Sequence, residues 1–210
     1  MSGLFITMEG TDGAGKTTQI KLLEKYFLDS GFEVVCSREP GGTPISEKIR
    51  EIIIDPENEE MCPMAEALLY AAARAQHVHE FIEPNLKKGR VVICDRFLDS
   101  SIVYQGIARK LGIDNIKDIN SYATNGLVPD ITFFLRLSPE DGIERKKKQA
   151  ELDRIEKEKF YFHKKVYDGY VNLAREESER IVQIDALLSV EEISAQIIAS
   201  IEKLLSERSF

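Results

Sequence analysis

The sequence predicts an α/β fold: a parallel sheet with helices on both faces. Five short apolar runs, Leu4–Glu9, Glu33–Ser37, Val91–Cys94, Ile131–Leu135 and Arg180–Ile184, alternate with helical patterns, the order that calls for parallel pairing. Polar motifs directly follow the first three runs, and ligands bind outside the carboxyl ends of the strands in such sheets.

The first run leads into Gly10-Thr11-Asp12-Gly13-Ala14-Gly15-Lys16-Thr17, followed by a helical pattern over Thr17–Leu28 with apolar Ile20, Leu22, Leu23 and Phe27. Strand, glycine-rich loop and helix together make a phosphate-binding loop. Its curled backbone aims N–H groups inward. Lys16 brings a charge to the β- and γ-phosphates, Thr17 offers a hydroxyl to Mg²⁺, and the helix adds its N-terminal partial charge.

Arg38-Glu39-Pro40-Gly41-Gly42-Thr43 follows the second run. It reads as a tight turn, or as a place where backbone closely approaches a ligand. Helical patterns continue over Ile45–Ile54 and over Ala65–Ile82, the latter predicted to end near Pro84. On that helix Tyr70 and Arg74 share a face at i, i+4. They read as a core tyrosine with a surface arginine, or as a stacking and hydrogen-bonding grip on a base. His77 and His79 diverge on a helix, which argues against a metal pair.

The third run ends at Asp95-Arg96. A carboxylate there is an anchor for Mg²⁺ or a cap for the next helix. A guanidinium beside it matches phosphate oxygens in a bidentate fork, or lies at the surface. Arg145–Lys159 is the most charged segment and reads as a solvated, mobile surface element or, beside a phosphate loop, as a lid that brings cations to the transferring group and excludes water. Glu158–Arg175 and Val190–Leu205 complete the helices.

The 210 residues suit one domain. The net charge of −8 and pI near 5.1 argue against nucleic-acid or anionic-membrane surfaces, so an anionic ligand must be met by local cations. No apolar run approaches the roughly 20 residues of a membrane span. Three cysteines without CxxC spacing, Cys36, Cys62 and Cys94, read as reduced thiols and point to the cytoplasm.

Taken in order, Phe5 to Gln19, Arg38 to Thr43, Ala73-Arg74-Ala75-Gln76-His77, Asp95-Arg96-Phe97, Asp99-Ser100-Ser101, Tyr104-Gln105-Gly106 and Leu152-Asp153-Arg154-Ile155-Glu156 resemble the thymidylate kinase family over nearly the whole chain. The resemblance implies a P-loop nucleoside-monophosphate-kinase fold with a five-stranded parallel sheet. It implies a single domain over 1–210 with a short lid at about 143–158, and a homodimer. It also implies phosphoryl transfer from ATP to dTMP with Mg²⁺. Gly10, Thr11, Asp12, Gly13, Ala14, Gly15, Lys16, Thr17 and Thr18 would hold the ATP phosphates, with Thr17 and Asp95 on the metal. Arg145 would pack on adenine beside Asp185-Ala186. Asp12, Arg38, Tyr70, Arg74, Arg96, Ser101, Tyr104 and Gln105 would bind dTMP. Tyr70 would stack on thymine, Arg74 would bond a thymine carbonyl, and Tyr104 would disfavour a ribose hydroxyl. Lys16, Arg96 and Asp12 are the expected catalytic groups.

Some relatives carry an arginine in the phosphate loop where this chain has Gly13. Here the loop holds no cation before Lys16, so the lid must supply one, from Arg154 or Lys148. A deoxynucleoside kinase, another nucleoside monophosphate kinase and a non-enzymatic nucleotide-binding module are the competing readings.

Overall fold

The computed structural model describes residues 3–146 and 153–207, apart from the side chains of residues 143, 144 and 146. Five strands, β1 (Leu4–Glu9), β2 (Val34–Arg38), β3 (Val91–Asp95), β4 (Ile131–Arg136) and β5 (Ile181–Asp185), form one parallel sheet in the order β2-β3-β1-β4-β5. All five expected strands are present; β1 has the expected bounds and the other four differ by one residue at one or both ends.

Side-chain alternation along β1 explains the two cores. Phe5 faces a cluster with Val92, Cys94, Phe97, Phe134 and Tyr170. Leu4, Ile6 and Met8 face the opposite cluster with Leu23, Phe27, Ile93, Phe133 and Ile197. Helices α1 (Lys16–Asp29) and α9 (Val190–Glu207) cover the second face, and α8 (Phe160–Glu176) packs on the first.

Beyond β2, α2 (Pro44–Ile54) packs on α3 (Pro63–His77). The expected end near Pro84 is not where the helix stops. A π-helical stretch, Val78–Ile82, carries the chain into α4 (Glu83–Lys87), with the Glu83 N–H reaching back to the Val78 carbonyl. Pro84, which cannot donate an N–H, follows directly after this π-helical stretch, where the helical hydrogen-bond pattern has already changed. After β3 come α5 (Leu98–Ser101), a second π-helical stretch over Ile102–Ala108, and α6 (Ile113–Thr124). Helix α7 (Pro139–Lys146) follows β4.

Register brings the site together. Arg38 lies opposite Asp95, and Asp95 opposite Met8 on the other side. The three strand ends beside the phosphate loop are therefore neighbours, at the point where strand order reverses around β1.

The segment read from sequence as mobile is in part anchored. Arg145 belongs to α7, and Arg154 and Ile155 are buried. Lys147, Lys148 and the rest of 147–152 lie outside the described residues.

Candidate active site

The phosphate loop occupies the turn from β1 to α1. Gly10 has φ +141°, and a Cβ there would stand 2.6 Å from the Leu135 carbonyl oxygen. Gly15, at φ +94°, is the N-cap of α1 and its carbonyl receives the Thr18 and Gln19 N–H groups. Only glycine meets both requirements cheaply. Lys16 is buried; its ammonium donates to the Gly10 and Thr11 carbonyls at 3.1 and 3.3 Å. Burial, then the charge of Arg96, holds its pKa below the ordinary lysine value, against the pull of Asp95 and Asp12. A lysine so placed is better solvated by a phosphate than by its present surroundings.

Arg96 is the second fixed cation. Its backbone has φ +68°, the left-handed region that a side chain rarely enters. Such strain persists only where surroundings over-determine it, and here they do. The Arg96 N–H bonds the Met8 carbonyl at 3.0 Å, and the next N–H, of Phe97, bonds Glu9 Oε1 at 2.8 Å. Arg96 reaches Asp12 Oδ1 at 2.9 Å and lies over the Tyr104 ring at 5.6 Å.

Glu9 sits behind this arginine, fully buried. Its Oε2 accepts from the Ser100 and Tyr170 hydroxyls, both at 2.7 Å. Burial, reinforced by Asp99, raises its pKa against the opposing effect of Arg96.

Two adjoining pockets share Asp12, Glu39, Arg50 and Arg96. The first is lined by loop residues including Gly13, Lys16 and Thr17, with Arg38 and Asp95. Arg38 is half exposed and paired with Glu47 at 2.9 Å. The buried Oδ1 of Asp95 has no hydrogen-bond partner among the described residues. A carboxylate oxygen and a threonine hydroxyl at one phosphate site suit Mg²⁺, which takes few protein ligands alongside phosphate oxygens and water.

The second pocket is lined by Tyr70, Arg74, Tyr104 and Gln105. Arg74 is 2% exposed and held from several sides. Nε donates to Glu39 Oε2 at 2.7 Å, Nη2 to the Phe97 carbonyl at 3.0 Å, and Nη1 to Ser101 Oγ at 2.9 Å and to Asn120 Oδ1. It is not the surface residue that periodicity favours. The other Glu39 oxygen faces His77 Nδ1 at 3.0 Å, and His77 Nε2 meets Ser37 Oγ at 2.7 Å. His77 thus belongs to a buried chain behind Arg74. Burial raises the Tyr104 hydroxyl to about 12, so it stays protonated.

Arg145 joins segments distant in sequence, donating to the Gly13 carbonyl at 3.2 Å and the Ala186 carbonyl at 3.0 Å. Asp185 pairs with Arg136 at 3.7 Å.

A family model described as thymidylate kinase matches residues 8–197 of the chain. A protein named thymidylate kinase from an Exiguobacterium species is 47% identical over 205 residues, covering 97% of each chain. One of the same name from a Geobacillus species is 49% identical over 203 residues, covering 96% of this chain and 97% of its own. The solved structure of thymidylate kinase from Ehrlichia chaffeensis superposes with a TM-score of 0.77 at 31% identity, covering 96% of this chain and 99% of that one. The chain belongs to the thymidylate kinase family.

Against the thymidylate kinase pattern, two placements differ from expectation. Ser101 is buried behind Arg74 as a hydrogen-bond acceptor, and Ser100 lines the pocket instead. Arg154 is buried rather than aimed at the phosphate loop. Its Nε donates to the Ile53 carbonyl at 2.7 Å and Nη2 to Glu66 at 2.8 Å, so in this conformation Nε and Nη2 are both engaged with the protein. Lys148 lies outside the described residues.

Sequence reading passed over Arg50, Glu9, Ser100, Tyr170 and Glu66. Arg50 was only a helical position, and its pKa is held down by burial and by Arg38. Two arginines reaching one carbonyl, from Arg38 and Arg50 to Pro40 at 2.9 and 3.0 Å, could not be foreseen from spacing.

Proposed function

We propose that the first pocket holds the ATP phosphates and the second holds dTMP, with Arg96 and Asp12 at the boundary. The chain is an ATP-dependent nucleoside monophosphate kinase that phosphorylates dTMP to dTDP. The residue roles rest above all on the shared wall: a donor-phosphate site and a base-sized pocket meet at the 2.9 Å Asp12–Arg96 pair.

In the reaction a phosphate oxygen of dTMP attacks the γ-phosphorus in line. A new P–O bond forms, and the bond to the β,γ-bridging oxygen breaks, releasing ADP. The acceptor is already anionic and needs no strong base, so rate comes from positioning and charge neutralisation. Lys16 would leave its two carbonyl partners for the β- and γ-oxygens. Arg96, pinned by its backbone, would hold the acceptor phosphate beside Arg38 and Arg50. Asp12 orients Arg96 and faces the sugar side of the pocket. Tyr70 would stack on the base and Arg74 would bond its carbonyl, while Tyr104 crowds the sugar. Arg145, between Gly13 and Ala186, would border adenine next to Asp185. Mg²⁺, held by Thr17 and Asp95, would supply further charge neutralisation at the phosphates. Lys148 is the lid cation we assign to the transferred group, since Arg154 is engaged with Glu66.

A deoxynucleoside kinase needs a base for a neutral hydroxyl, and Glu39 is the acid placed after the second strand. Both its oxygens are engaged, by Arg74 and His77, which favours the monophosphate reading. Presenting thymidine and dTMP in parallel tests it: product from dTMP alone supports the assignment, and product from thymidine overturns it.

We extend the reading to a homodimer. Ile45, Ile52, Met64 and Leu68 are 41–52% exposed on α2 and α3, which pack together. A Leu68→Lys variant sedimenting as a monomer, against a dimeric parent, supports this; a monomeric parent contradicts it. A cytoplasmic location accords with three unbridged cysteines.

A further inference from the structure

The acceptor pocket has a polarity at its base end that is set from behind. Gln105 is 1% exposed and lines the pocket. Its side-chain amide donates Nε2–H to Glu66 Oε1 at 2.9 Å. Glu66 is itself buried, and it also accepts from Arg109 Nε and Nη2 at 3.2 and 3.0 Å and from Arg154 Nη2 at 2.8 Å. Burial alone would raise its pKa, but the bonds from Arg109 and Gln105 outweigh that and hold the carboxyl below its ordinary value. An ionised carboxylate only accepts. The amide nitrogen of Gln105 must therefore face Glu66, and its carbonyl oxygen must face the other way. That oxygen has no hydrogen-bond partner among the described residues.

Arg74 supplies the complementary half. Four of its five N–H groups are taken by Glu39, Ser101, Asn120 and the Phe97 carbonyl. One hydrogen on Nη2 is left for the pocket. The base end thus offers one donor from Arg74 and one acceptor from Gln105.

We propose that Glu66 is a positioning residue for base choice: by fixing the Gln105 amide it makes the pocket select a pyrimidine carrying N3–H beside a ring carbonyl over one with unprotonated N3 beside an amino group. This rests on the second pocket being the dTMP site. Thymine and uracil present the matching pair. Cytosine presents an acceptor to the Gln105 carbonyl and a donor to Arg74, which leaves buried polar groups unpaired at both contacts, the arrangement that discriminates most strongly. Replacing Glu66 by glutamine gives Gln105 a partner that can donate as well as accept. The amide can then turn, and the acceptor in the pocket is no longer enforced.

Calorimetric titration of the full-length protein with dTMP, dUMP and dCMP, before and after Glu66→Gln, tests this. The parent should prefer dTMP and dUMP to dCMP. In Glu66→Gln the first two should weaken together while dCMP does not, narrowing the preference by roughly tenfold or more. Equal weakening of all three means Glu66 is merely structural and overturns the proposal. A parent that does not bind dTMP removes the functional reading and this proposal with it, whereas a normal parent with an unchanged preference in the variant removes the proposal alone. Should Glu66→Gln fail to fold, the parent decides: ¹⁵N spectra should show Gln105 side-chain amide protons protected from solvent exchange, and unprotected protons overturn the proposal.

Discussion

Asp12 and Arg96 meet at 2.9 Å on the wall common to the two pockets, one from the phosphate loop and the other from the end of β3. In the proposed reaction this pair would connect donor and acceptor sites, because Asp12 also lies 3.9 Å from the Lys16 ammonium. Asp12→Ala should leave the Arg96 guanidinium unoriented. Turnover of dTMP should fall by roughly 10²-fold, the scale expected when a reacting group is misplaced by about an ångström, while the Kd for ATP shifts by much less. Steady-state kinetics with calorimetry on ATP separates the two effects, and an unchanged kcat contradicts the assigned role.

Glu9 is expected to hold the strained turn at Arg96. Glu9→Ala removes the acceptor for the Phe97 and Ser100 N–H groups and for the Tyr170 hydroxyl. Each buried group left unpaired costs about 1–3 kcal/mol, so a loss of about 3 kcal/mol or more should appear in urea unfolding. A smaller loss with normal turnover would show that the turn holds itself.

Two buried carboxylates should act oppositely on acid stability. Glu66 titrates below the ordinary glutamate value of 4.5 in the folded protein. Its contribution is present above that value and is lost as pH falls through the lower, folded one. Glu9 titrates above 4.5, so it binds its proton more tightly when folded, and its effect on stability declines as pH rises from 4.5 through the folded value. Thermal unfolding below pH 4.5 should therefore be less pH-dependent in Glu66→Gln than in the parent. A steeper acid limb in the variant contradicts the sign.

Asp95→Asn should raise the Mg²⁺ concentration for half-maximal activity by roughly tenfold or more, in the range seen when groups supporting a metal are altered. Its buried Oδ1, without a partner among the described residues, is the reason. Titration of activity with MgCl₂ at fixed ATP checks it; an unchanged curve removes Asp95 from the metal site.

Much of the fold was legible because its signals are local. Alternation at β1, and strand runs each followed by a polar motif, were enough to place five parallel strands and the loop between Gly10 and Thr17. The end of the α3 helical run was misplaced because a π-helical stretch before Pro84 changes the hydrogen-bond pattern and lets the helical path continue past it. Leu98–Thr124 yielded no helices to inspection, because a short helix, a π stretch and the left-handed Lys110 break its period. In the site, residues adjacent to motifs were found and those behind them were not. Arg96 was visible beside Asp95. Glu9 and Tyr170, 161 positions apart, meet only through the fold. Arg154 read as a free cation because nothing in its neighbourhood announces Glu66, which approaches from 88 positions away.

If the two pockets pass a phosphoryl group from ATP to dTMP, coupled measurement of ADP release with equal concentrations of dTMP, AMP, CMP, UMP and thymidine should show a clear preference for dTMP. That preference should disappear in Lys16→Ala. Preference for AMP, CMP, UMP or thymidine, or near-normal turnover of dTMP by Lys16→Ala, contradicts that transfer.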